Sequence, residues 1–78
     1  MKKVEIYSTP TCHYCHMAKD FFKENNIPYT EYDVASDREK RKEMVEKTSQ
    51  MGVPVIVIDG AWVVGFNKTK VAKELGLI

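Results

Sequence analysis

Cys12-His13-Tyr14-Cys15 stands where one backbone periodicity gives way to another, and it holds the only two cysteines of the chain. Before it, Val4 to Tyr7 alternates as a β-strand does; after it, Met17, Ala18, Phe21 and Phe22 recur at three- and four-residue spacing, the mark of an amphipathic helix. This places the first thiol at a helix N-terminus and the second one turn further in. Unpaired backbone N–H groups and the positive end of the helix dipole both favour a thiolate at that edge, and the thiolate is the form that attacks disulfides. Cys15 then lies close enough to attack a mixed disulfide formed on Cys12. The stretch reads as a two-thiol redox centre.

A bridge between these cysteines would be a poor structural staple. It closes a ring of four residues, which constrains the unfolded chain little. Helix geometry sets i, i+3 β-carbons about 5–6 Å apart, wider than the roughly 3.8 Å a relaxed disulfide prefers. Small secreted domains held by disulfides carry several widely spaced pairs instead.

The remaining pattern is strand and helix in alternation. Ser8-Thr9-Pro10-Thr11 is a turn-forming loop, the first helix spans about His13 to Glu24, and Asn25-Asn26 supplies its stop. Pro28 precedes a second strand, Tyr29 to Val34, completing a right-handed βαβ unit. Ser36-Asp37-Arg38-Glu39 fits a capping box with Ser36 at the N-cap, and the helix it opens runs to about Ser49, burying only Met44, Val45 and Thr48. The mixed charges of this helix read as a solvated face.

Val53-Pro54-Val55-Ile56-Val57-Ile58 is the most apolar run and reads as a central strand. Asp59-Gly60 is a hairpin turn returning the chain through Ala61 to Val64, and Gly65-Phe66-Asn67 breaks that strand. A short helix with Val71, Ala72 and Leu75 on one side follows, with Gly76 at its end. The order βαβαββα, without repeats or linkers, predicts an α/β fold in a single domain over residues 1–78. Pro54 donates no ladder hydrogen bond: a cis Val53-Pro54 bond would turn the chain tightly at the head of the strand, and an ordinary trans proline starting a strand is the other reading.

Charge and length narrow the function. A formal net charge of +1 gives no reason to expect nucleic acid as a ligand. Met1-Lys2-Lys3 leads into a strand pattern rather than a long apolar region, and no run approaches the length of a membrane span. The expectation is a soluble, cytoplasmic protein.

The whole chain resembles the glutaredoxins of the thioredoxin-fold superfamily. Their Cys-Pro-Tyr-Cys motif differs from Cys12-His13-Tyr14-Cys15 only at His13, His16 is common in them, and their Thr-Val-Pro loop matches Gly52-Val53-Pro54. The resemblance implies a four-stranded mixed sheet in the order 2-1-3-4, flanked by three helices. It implies a thiol–disulfide oxidoreductase with Cys12 as nucleophile and Cys15 as resolving thiol. Val53 before a cis-Pro54 would pair its backbone with the substrate, with Tyr14, Gly65 and Phe66 around it. A monomer acting on disulfide-containing protein substrates is implied too, without a tightly bound cofactor and with glutathione or a thioredoxin reductase as electron source.

Two departures bear on that source. Many glutaredoxins place a lysine three residues before the nucleophile, where this chain has Thr9, and a second glycine and an Asp where it has Phe66-Asn67-Lys68. Gly65-Phe66 is similar instead to the NrdH-redoxins, hydrogen donors of ribonucleotide reductase that take electrons from thioredoxin reductase. Their motif usually has Gln at the position of Tyr14.

Other readings of the same residues exist. Cys12 to His16 also spells Cys-x-x-Cys-His, the attachment motif of c-type haem, but it lies inside a βαβ pattern and no export signal accompanies it. Positions 12, 15 and 16 share a helix face, so two thiols and His16 could supply three ligands to zinc or to a shared iron–sulfur cluster. An iron–sulfur or metal-binding glutaredoxin-like protein is therefore the alternative function. His13 reads equally as a tuner of the thiolate or as an exposed first-turn residue, and Trp62 and Phe66 read as hairpin and core packing.

Overall fold

Both ends of the apolar pattern close on one sheet. The computed structural model describes residues 2–77. Strands β1 (Val4–Ser8), β2 (Thr30–Asp33), β3 (Val55–Ile58) and β4 (Ala61–Val64) form it in the order β2-β1-β3-β4, with helices α1 (His13–Glu24), α2 (Arg38–Thr48) and α3 (Lys68–Glu74) flanking it. β1 runs parallel to β2 and antiparallel to β3, and β3 is antiparallel to β4. Topology and sheet order agree with the expectation.

The two-residue period of the strands sorts the core into two layers. Val4, Ile6, Ile56 and Ile58 face α1 and α3, meeting Ala18, Phe21, Phe22, Val71 and Ala72. Tyr7, Val55 and Val57 face the other way, against Val34 and Met44. β3 is covered on both faces, which is why it reads as an unbroken apolar run rather than an alternation. Trp62 packs on Tyr7 and Phe66 on Phe21, with ring centroids 5.4 and 5.8 Å apart, so both aromatics pack as expected. The Tyr7 hydroxyl also donates to the Glu43 carboxylate, tying α2 to the sheet. Burial first, and that bond second, push the Tyr7 phenol well above its ordinary range and keep it neutral.

Several boundaries shift. The N-cap of α2 is Asp37, not Ser36: its Oδ1 accepts the Lys40 N–H at 3.0 Å, while Ser36 Oγ donates to the Asp33 carbonyl at 3.4 Å. Asp and Ser cap comparably, so the register is decided by the turn leaving β2, in which the Asp33 carbonyl accepts the Ser36 and Asp37 N–H groups. β2 is shorter than the Tyr29–Val34 pattern, although the Val34 N–H still reaches the Ser8 carbonyl at 2.9 Å. β3 begins at Val55, leaving Val53 and Pro54 outside the ladder. Met17 continues the apolar spacing of α1 in sequence but lies outside the core, 42 % exposed.

Candidate functional site

Of the loops at one end of the sheet, three carry the residues expected at the site, because the ladders align there. Tyr7 pairs with Val55, and Val55 with Val64. Everything that follows β1 (Thr9 to Cys12), precedes β3 (Val53-Pro54) or follows β4 (Gly65-Phe66) therefore emerges from the same edge. The Gly65 N–H donates to the Pro54 carbonyl at 2.8 Å and ties two of these loops together. Gly65 has φ +82°, a left-handed conformation that a side chain would strain.

At the head of α1, Cys12 is the N-cap residue. Its backbone is extended (φ −85°, ψ 112°), and its Sγ accepts the Cys15 N–H at 3.1 Å. Ser, Thr, Asp or Asn usually fills this position with an oxygen; here a sulfur takes the orphan N–H of the first turn. Cys12 and Cys15 are joined in a disulfide, with Cα atoms 5.2 Å apart. Cys15 is fully buried, whereas Cys12 is only partly so. A thiolate on Cys12 would keep the same N–H as a charge-assisted hydrogen bond, the stronger kind.

The other residues expected at the site divide into two groups. Val53-Pro54 is cis, and Pro54 is buried. Among the described residues neither the N–H nor the C=O of half-buried Val53 has a hydrogen-bond partner, so both remain available to a bound chain. Phe66 is half-buried on the core layer of α1 and is not free in solvent. Tyr14 is 59 % exposed and meets His13, also exposed, edge to face at 5.7 Å.

The three-ligand set that helix spacing allowed is not assembled. His16 points its Nε2 at the Pro10 carbonyl, 3.0 Å away, and among the described residues no group of three His, Cys, Asp or Glu side chains is placed to hold a metal ion.

Sequence reasoning missed a polar cluster behind the Cys12 loop. Ser8, 1 % exposed, donates its hydroxyl to Glu31 Oε2 at 2.7 Å, and Lys19 donates to the same oxygen at 2.8 Å. Lys19 and Glu31 belong to α1 and β2, and no local spacing signals their meeting. The Lys19 bond first, and the Ser8 bond second, hold the Glu31 carboxyl below its ordinary range, against a smaller opposing effect of burial. A depressed carboxyl pKa contributes stability that is present above the unfolded value and lost as the pH falls through the folded one. Urea midpoints are thus expected to drop in the acid range below about pH 4.5, and to drop less steeply in Lys19→Met. Identical acid slopes for the two proteins would show that the pair contributes nothing.

Known proteins share both the motif and the shape. The family model for glutaredoxin matches residues 4–63. A glutaredoxin-like 8.6 kDa protein in the rubredoxin operon of Clostridium pasteurianum is 47 % identical over 70 residues, covering 90 % of this chain and 93 % of its own. Glutaredoxin 3 of Escherichia coli is 35 % identical over 65 residues, 83 % of this chain and 78 % of that one. The crystal structure of the thioredoxin-like protein BC3987 superposes with a TM-score of 0.86 at 36 % identity, over 92 % of this chain and 99 % of that chain. With a redox-capable cysteine pair closed at the start of α1, the chain belongs to the glutaredoxin family and is a thiol–disulfide oxidoreductase.

Proposed function

We propose that the protein is a single-domain, monomeric electron carrier that reduces protein disulfides, with Cys12 as nucleophile and Cys15 as resolving thiol. The observation that carries this reading is the unequal burial of the pair: a substrate sulfur can approach Cys12, while Cys15 is sealed. The Cys12 thiolate attacks one sulfur of a substrate disulfide, forming a mixed disulfide and releasing the first substrate thiolate. Cys15, losing its proton, then attacks Cys12 Sγ, which closes the internal disulfide and releases the second thiolate. Two electrons pass to the substrate, and two protons complete its thiols.

Val53 offers its unpaired N–H and C=O to an extended segment of the substrate, as a short β-pairing beside buried Pro54. Gly65, bonded to the Pro54 carbonyl, and Phe66 lie on the loop beside it, and exposed Tyr14 and His13 flank Cys12 and Cys15 in the chain. The donor is a thioredoxin reductase rather than glutathione, because Thr9 and Phe66 replace the groups that hold glutathione in many relatives. Ribonucleotide reductase is a fitting substrate for a carrier of that kind. The site of action is the cytoplasm.

The thiolate argument has a direct test. In Cys15→Ser, thiolate absorbance followed against pH is expected to give a Cys12 midpoint well below the roughly 8.5 of free cysteine. A midpoint at or above the free value would refute stabilisation by the α1 terminus.

A further inference from the structure

His16 follows Cys15 on α1, yet its imidazole turns back to the loop that carries Cys12. Its Nε2 lies 3.0 Å from the Pro10 carbonyl oxygen. A carbonyl only accepts, so Nε2 bears the hydrogen and donates it. Among the described residues this is the one side-chain hydrogen bond made to Thr9, Pro10 or Thr11. The backbone adds little there: Pro10 has no N–H, and the Cys12 N–H reaches the Thr9 carbonyl only at 3.3 Å, at the long end of the range.

The bond lies at the surface, with both His16 and Pro10 exposed. His16, Ser8, Thr9, Pro10, Lys19 and Glu31 line a cleft of about 400 Å³ behind the loop. Within it, Glu31 Oε2 accepts from both Ser8 and Lys19. Ser8, Lys19 and Glu31 thus bond to one another in the cleft, while His16 bonds to the loop.

We propose that His16 is a positioning residue: through the Pro10 carbonyl it keeps Cys12 Sγ aligned with the N–H groups of α1 after the disulfide opens. The proposal rests on Cys12 being the attacking thiol. While the pair is oxidised, the bond to Cys15 itself fixes the Cys12 sulfur. When two electrons and two protons open it, that covalent restraint is gone. The thiolate then keeps the Cys15 N–H only if the Thr9–Thr11 loop holds its place. The contribution of His16 consequently belongs to the dithiol state, the state that attacks substrate.

Replacement by Leu removes the donor, while Gln carries an amide N–H to nearly the position of Nε2 without a ring or a titratable charge. In the Cys15→Ser background, His16→Leu is expected to raise the Cys12 midpoint so that the thiolate fraction falls roughly two- to tenfold, as suits one lost hydrogen bond. In the dithiol protein the same change should lower kcat/KM for disulfide reduction by a similar factor. His16→Gln should restore both. The melting temperature of His16→Leu should fall more in the reduced than in the oxidised protein.

An unchanged midpoint in His16→Leu would overturn the proposal. So would a Gln variant as impaired as Leu, or equal losses of melting temperature in both redox states. Failure of the underlying assignment would look different: Cys15→Ser with His16 intact would then form no mixed disulfide through Cys12.

Discussion

Cys12→Ser is expected to reduce disulfides no faster than the uncatalysed background, while Cys15→Ser still makes the first covalent bond and then stalls. The asymmetry follows from where the two sulfurs sit. Cys12 is the N-cap of α1 and partly exposed, with an N–H donated to its sulfur; Cys15 is one turn in, with none of its surface open to solvent. Serine at position 12 retains the capping oxygen, so the fold survives, but a hydroxyl does not ionise near neutrality and cannot attack sulfur. Removing Cys15 leaves the attacking thiolate and its donors in place and removes only the group that releases the substrate. Mass spectrometry after mixing with a disulfide substrate reads the two steps separately. It should show a stable adduct on Cys12 in Cys15→Ser and none in Cys12→Ser. Equal loss of the first step in both variants would reverse the assignment.

The second large effect concerns the source of electrons. Reduction of the Cys12–Cys15 disulfide by thioredoxin reductase and NADPH is expected to outpace reduction by glutathione by about tenfold or more. Glutathione carries two carboxylates, and each charge-assisted hydrogen bond missing from its site costs about 1.5–3 kcal/mol, ten- to hundredfold in affinity. Thr9 has no charge to offer where many relatives place a lysine. Phe66 puts a ring, committed to Phe21, where a second glycine would let the backbone approach the γ-glutamyl group. Lys68 and Lys70 are exposed near the start of α3, and charges of that kind bind weakly and are screened by salt. Purified reductase with NADPH, set against glutathione at matched reducing equivalents, decides between them. Rapid reduction by glutathione with no response to the reductase would make Thr9 and Phe66 tolerated replacements within an ordinary glutathione-dependent glutaredoxin.

The structure also limits what each residue contributes to such a site. Phe66 is anchored on the core layer of α1, so its ring is a fixed wall rather than a mobile contact. Tyr14 and Met51, by contrast, stand out in solvent at 59 % and 68 % exposure. Met51 lies two residues ahead of Val53, and nothing in its local sequence distinguishes it from a core methionine such as Met44.

Local chemistry by itself determined the element order, both ends of α1, the Asp59-Gly60 turn and the redox pair. Each is written in neighbouring residues: a change of period around Cys12, Asn25-Asn26 where Asn26 takes φ +55°, and positive φ at both Asp59 and Gly60. The double burial of β3 was legible too, since a strand covered on both faces has no polar alternation to keep. Tertiary structure alone decided what depends on contacts between distant segments. Asp37 displaced Ser36 as a cap because the turn out of β2 chose between two equivalent residues. Met17 lies on the surface although it continues the apolar spacing of α1, a difference set by what packs against the helix rather than by spacing along it. The Lys19–Glu31–Ser8 cluster joins side chains that meet only once α1 is laid across the sheet, and the His16 ring reaches the Pro10 backbone carbonyl only once the loop before α1 has folded back on its first turn. Hydrophobic periodicity assigns a face to a residue; it carries no information about which polar atom on another segment will come within 3 Å of it.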